Sequence, residues 1–351
     1  MLAFVDHSSD LNAWAQSLSI SREAVEIYAA SDVIDLHIDS FIWTRILGYD
    51  LKQRHGHGLL GARFYSQVDL PRLREARVTG GIWVITTNPI RPGLSRAHAF
   101  TENFAHLTQI LESCRDDVAV VRNASEYRAA RAAGKHGAFI GVQGGNAVDA
   151  AVDRLNDTIV RVTLVHLSNS RLGTTSAPGG GDGGLTAAGR DYVRALNAKK
   201  IFVDLAHINR RGFFDALEVS DRSQPVIVTH TGVSGVHRHW RNLDDEQLRA
   251  IADTGGTIGV MYHSQFLDGS LLGCTADKVV DHLAHVVETV GEDFASLGSD
   301  WDGAIVTPRD MPTCLELPRL VQRMLDRGWK ADRIHKILGG NWLRTLAALR
   351  P

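Results

Sequence analysis

Asp32-Val33-Ile34-Asp35-Leu36-His37-Ile38-Asp39 is a short apolar run that ends in His-x-Asp. Val33, Ile34, Leu36 and Ile38 mark it as one buried strand, because the run is too short for a helix. His37 and Asp39 stand two residues apart, so on a strand their side chains share a face. A neutral imidazole and a carboxylate converging at a strand end supply two thirds of a typical zinc site. For a lone His-x-Asp, a buried histidine hydrogen-bonded to its aspartate is the plainer reading. The choice turns on whether other strands end in matching ligands.

Outward from this stretch, apolar runs recur with amphipathic segments between them. Eight are recognisable, over residues 33–38, 81–86, 137–142, 159–165, 201–205, 225–229, 257–262 and 294–298. Most are rich in Val, Ile or Leu and show no clean polar alternation, as expected of strands covered on both faces of a parallel sheet. Between them, residues 97–116 put Phe100, Phe104, Leu107, Ile110 and Leu111 on one helical stripe. Asp244-Asp245-Glu246 places negative charge where a helix start favours it. Residues 276–290 are amphipathic, and Pro318 suits the first turn of a helix over 318–327. Eight buried strands alternating with helices predict an α/β fold, a (β/α)8 TIM-like barrel. A helical extension over residues 1–31, with Ser21 as a cap, precedes it, and the chain 1–351 reads as one domain. An open doubly wound sheet is the alternative, but no Gly-x-Gly-x-x-Gly follows the first strand. Pro178-Gly179-Gly180-Gly181-Asp182-Gly183-Gly184 lacks the Lys-Ser/Thr of a phosphate loop and reads as a mobile loop over a site.

Composition narrows the function. A content of 44% hydrophobic and 22% charged residues is that of an ordinary globular protein. The formal net charge of -2 leaves no basic excess with which to neutralise nucleic acid or an anionic membrane surface. Cys114, Cys274 and Cys314 are too scattered for a disulfide framework or a metal knuckle, so a reducing compartment is expected. No basic-then-apolar signal segment opens the sequence, and no window approaches about 18 uninterrupted apolar residues. A cytoplasmic location follows as the expectation.

In a barrel the reactive groups gather where strands end, on the C-terminal rim. The first run ends in His37 and Asp39, the third in Gln143, the fourth in His166, the fifth in His207, the sixth in His230 and the eighth in Asp300. Any one of these alone is ordinarily a satisfied core residue. Four histidines and two aspartates crowded onto one rim lack a stabilising reason, because burying them unpaired is costly. A bound cation supplies that reason, and imidazole and carboxylate without cysteine suit zinc or a similar divalent ion. Activation of water and polarisation of a carbonyl follow, hence hydrolysis of an amide or ester. The remaining histidines show no ligand pattern: His263 after the seventh run, His55 and His57 in a His-Gly-His-Gly loop, His237 and His239 around Arg238, His282 and His285 on a helix, and five others.

With these motifs in view, the chain resembles the renal (membrane) dipeptidase family of binuclear zinc hydrolases, from about Val33 to Leu346. The resemblance is carried by Asp35-Leu36-His37-Ile38-Asp39, Gly141-Val142-Gln143-Gly144-Gly145, Leu185-Thr186 through Gly189, Val203-Asp204-Leu205-Ala206-His207, residues 225–230, Arg241-Asn242, Gly298-Ser299-Asp300-Trp301-Asp302-Gly303 and Gly339-Gly340-Asn341-Trp342-Leu343-Arg344. It implies a distorted barrel with His37 and Asp39 on one zinc and His207 and His230 on the other. It further implies that His166 steadies the substrate carbonyl, Arg241 takes the terminal carboxylate of a dipeptide, and Asp300 shuttles a proton. A small substrate with a free carboxylate is the expected partner, and a homodimer is compatible with the family.

One position departs from the pattern. Where the family has a glutamate bridging both metals, this chain has Gln143, which offers one neutral carbonyl oxygen. Losing a negative charge beside two dications weakens metal binding, so a single or partly filled site is expected. Two other readings stay open on sequence alone: a hydrolase of another amide or a lactone, and a catalytically silent binding protein.

Overall fold

The structure, a computed structural model, describes residues 1–56, 58, 60–86, 93–148, 152 and 155–351, so His57 lies outside the described residues. Among the described residues nine strands form one sheet: β1 (Ile34–Ile38), β2 (Gly80–Thr86), β3 (Val118–Val120), β4 (His136–Gln143), β5 (Ile159–Thr163), β6 (Phe202–Asp204), β7 (Val228–Thr231), β8 (Ile258–Val260) and β9 (Ala295–Leu297). Their order is β6-β5-β4-β2-β1-β9-β8-β7, with β3 paired to β4 off this path. All the pairings are parallel. The ends of the path meet through a parallel bridge between Asp204 and Ile227. There Leu205 N donates to Ile227 O at 3.0 Å and Ile227 N to Val203 O at 3.1 Å. Eight strands thus make a nearly closed parallel barrel flanked by helices, the architecture expected from the eight apolar runs.

The ninth strand, β3, was not among those runs. Val118–Val120 is three residues long, too short to show a pattern, and exists because it lies beside the start of β4. Helix ends follow from capping. Asp10 and Ser21 accept the N–H groups of Ala13 and Ala24, which starts the two preface helices Leu11–Leu18 and Arg22–Ala30. Asp244 and Gln247 form a reciprocal capping box at the head of Asp245–Asp253. Ala276–Val290 and Pro318–Asp326 are helices at the places their patterns indicate.

The barrel interior is layered. Ile34, Leu36, Ile82, Phe139, Phe202 and Ile227 come from strands around the ring and belong to one buried apolar cluster. Trp342, on the helix Asn341–Leu349, joins that cluster, its ring 5.9 Å from Phe139 and 5.3 Å from Phe202. These residues sit toward the strand starts, so Trp342 plugs the end of the barrel opposite the rim. Trp342→Ala is expected to cost about 3–5 kcal/mol of stability, the range for removing a fully buried large aromatic. Chemical denaturation of the metal-free protein reads this out, and a loss within about 1 kcal/mol would show that the plug is dispensable.

Candidate metal centre

Above the apolar layer the interior turns polar. Arg161 and Thr163 on β5, Asp204 ending β6 and Thr229 on β7 are all fully buried and joined by hydrogen bonds. Asp204 is the hub, accepting from Thr163 Oγ1, from Thr229 Oγ1 at 2.7 Å and from the N–H groups of Ala206 and Thr229. This network ties β5, β6 and β7 together beneath the rim.

The rim itself brings the expected residues close. Asp300 N donates to His37 O and Asp39 N to Trp301 O, which docks the turn after β9 onto the end of β1. His37 Nε2 is then 3.3 Å from Asp39 Oδ2 and 3.5 Å from Asp300 Oδ1. The rings of His37 and His230 have centroids 3.8 Å apart, and His207 Nε2 is 2.9 Å from His230 Nε2. His37, His230 and Asp300 each offer one ligand atom, all within 4.8 Å of one another. His166 stands edge-on to His207 and accepts from the Gln143 amide nitrogen at 3.1 Å. Arg241 donates to His230 O at 2.7 Å. All eight residues singled out by sequence are therefore on one rim, seven of them buried and His166 half-buried. His166 and His207 lie three residues beyond the ends of β5 and β6, and His230 lies within β7.

Two of these residues hold strained backbone. His207 has φ 65 and Asp300 φ 64, left-handed values that side chains other than glycine rarely adopt. Such strain collects at sites where a side chain must be aimed, and here it aims both into the centre.

Burial sets the charge states. It pushes His207 and His230 well below the ordinary histidine value and His166 to about 4, so all three are neutral near pH 7. For Asp39 burial acts upward, but the interaction and hydrogen bond with His37 outweigh it and hold the carboxyl below its usual value. Asp300 is pushed well above the carboxylate range by burial and by Asp39 beside it, against the pull of Arg241. Burial also lowers the Arg241 guanidinium to about 10, which leaves it charged.

The donor set fits a cation. Thr229 gives its hydroxyl hydrogen to Asp204, so it accepts from His230 Nδ1 at 2.9 Å, and His230 Nε2 keeps a bare lone pair aimed at His207. Gln143 Oε1 is a buried acceptor with no hydrogen-bond partner among the described residues. His207, His230 and Gln143 are accordingly groups that could hold a metal ion.

Other histidines are otherwise engaged. His136 Nδ1 bonds to Val78 O and its Nε2 accepts from the Trp83 indole. His282 bridges Val233 N and Leu267 O, His263 accepts from Val306 N, and His285 pairs with Asp245. Arg161, Asp204 and Thr229 were not found from the sequence. The available signal was a charge inside an apolar strand run, Ile159-Val160-Arg161-Val162-Thr163.

The family model described as Membrane dipeptidase (Peptidase family M19) matches residues 21–350. The chain belongs to the membrane dipeptidase family. Among solved structures, this family member is similar to the dipeptidase AC, a metallopeptidase of family M19, at 26% identity with a TM-score of 0.80, covering 91% of this chain and 99% of that one. A metallopeptidase from Rhodobacter sphaeroides, liganded with a phosphinate mimic of the dipeptide L-Ala-D-Ala, matches at 25% identity and TM-score 0.80, again over 91% of this chain and 99% of that one. An uncharacterized protein in the pqqA 5' region of Klebsiella pneumoniae is 38% identical over 176 residues, 49% of this chain and 64% of that protein. The chain thus spans less than two thirds of this curated relative. Membership of the membrane dipeptidase family and these neighbours support a metal-dependent hydrolase, and the family implies bound metal ions. No helix among the described residues is long and apolar enough to cross a membrane.

Proposed function

We propose that the chain hydrolyses the amide bond of dipeptides or small acyl-amino acids bearing a free carboxylate, with zinc as the metal and the cytoplasm as its compartment. The observation that carries this reading is Arg241. Its side chain is almost wholly buried beside His230, its Nε has no hydrogen-bond partner, and it has no ion-pair partner among the described residues. Asp300 and Asp204 attract the guanidinium without pairing with it directly, and a carboxylate presented to its free fork would offset more of the cost of burying it.

When bound, zinc supplies Lewis acidity and an activated water for attack on the carbonyl. The residues do the rest. Gln143 donates to His166 Nε2, so the neutral His166 carries its hydrogen on Nδ1, a buried donor with no partner among the described residues. That N–H suits the oxygen of a carbonyl becoming tetrahedral. Asp300 takes a proton from the attacking water and returns it to the leaving amine. Arg241 fixes the far end of the substrate, so the scissile bond is positioned before reaction.

The test is a panel of dipeptides, acyl-amino acids and the same dipeptides with amidated C-termini, assayed with added zinc or manganese. Dipeptides are expected to exceed their amides by about 100-fold in kcat/KM, the worth of roughly 2.8 kcal/mol. Equal rates would remove Arg241 from substrate recognition. Turnover of lactones alone would move the reading to another hydrolase. Silence throughout would favour the second reading, a binding protein that keeps the pocket, for which the neutral Gln143 is the specific observation.

A further inference from the structure

Arg161 is a buried charge that the hydrolytic reading leaves unused. It lies on β5 with its side chain fully buried, Nη1 donating to Val142 O at 3.1 Å and to Thr163 Oγ1, and 3.3 Å from Asp204 Oδ2. Gly141 makes the room: a Cβ there would stand 2.6 Å from Arg161 Nε. The other arm, Nη2, reaches 2.8 Å from His37 Nδ1.

A guanidinium has donors only. His37 Nδ1 must therefore present its lone pair to Arg161, and the neutral ring carries its hydrogen on Nε2. That N–H faces two acceptors, Asp39 Oδ2 at 3.3 Å and Asp300 Oδ1 at 3.5 Å. A ring nitrogen bearing hydrogen has no lone pair for a cation. His230 is arranged the opposite way, with Nδ1–H held by Thr229 and Nε2 bare, and at His207, 2.9 Å away, no partner among the described residues holds Nδ1, so its hydrogen can sit there and leave Nε2 bare for a cation.

Resting on the reading of this rim as a metal centre, we propose that Arg161 takes the place of one cation. The chain holds a single metal ion on the His207–His230 side, and His37 is a hydrogen-bond donor to Asp39, with Asp300 beside it, not a ligand. The charge balance agrees, since a guanidinium beside a neutral amide carries the same net charge as a divalent ion beside a carboxylate. Gln143 and Arg161 are then two halves of one exchange.

Zinc counting tests this. The full chain is loaded with zinc, freed of loose ion by gel filtration, and measured by elemental analysis. The native protein is expected to keep one equivalent, His37→Gln also one, His230→Gln none, and the double variant Arg161→Met, Gln143→Glu two. Two equivalents or none in the native protein, or loss of the ion in His37→Gln, would overturn the proposal. A folded double variant that still holds one would remove Arg161 from it. Should the double variant fail to fold, the His37 and His230 pair still decides. The count is independent of substrate, so silence across the peptide panel would sink the hydrolytic reading and leave this inference standing.

Discussion

Asp300→Asn is expected to lower kcat by about 10²–10⁴-fold, the usual contribution of a positioned proton carrier, while the metal content stays nearly intact. The substitution is nearly isosteric, and asparagine tolerates the left-handed backbone that Asp300 adopts at φ 64. Folding should therefore survive, and what is lost is the exchangeable proton. Burial and the neighbouring Asp39 push the Asp300 carboxyl up, which suits a group that must gain a proton and release it within one turnover. Parallel measurements of kcat and bound zinc decide the matter. Retained turnover would show that another group carries the proton.

Arg241→Met is expected to reduce kcat/KM for dipeptides by about 100-fold or more and to leave activity on C-terminally amidated substrates almost unchanged. Methionine keeps part of the side-chain volume and removes the fork that would pair with the carboxylate. It also removes the donor to His230 O, a bond worth about 1–3 kcal/mol when the partner is left buried and unpaired. A control for that second effect is built into the comparison: a disturbed His230 lowers activity on both substrates, whereas a lost carboxylate contact lowers it on one. Lysine at this position is not expected to rescue, because a point charge on a flexible stem lacks the planar fork.

The barrel was legible because its strands are covered on both faces, which turns each into an uninterrupted apolar run. The strand β3 escaped for a physical reason: three residues at the margin of β4 need no pattern of their own. His37, Asp39, Gln143, His166, His207, His230 and Asp300 were found by asking what stands at strand ends, and the structure gathers them onto one rim. Arg161, Asp204 and Thr229 lie one layer deeper, within or at the edge of runs that read as plain core. Their importance comes from pairing across strands, with Arg161 reaching a histidine 124 positions earlier in the chain, and no local spacing reports that.

Trp342 carries a consequence for biosynthesis. It follows every strand whose residues it covers, and its helix is tied back by Asn341 to the carbonyls of Glu292 and Ala295 and by Arg344 to those of Gly255, Gly256 and Asp293. A chain emerging from the ribosome N-terminus first has all its strands in solution before the residue that seals their lower layer has been made. Until then Phe139 and Phe202 lack the indole that packs against both, and the nascent barrel exposes apolar surface that a holdase chaperone would recognise.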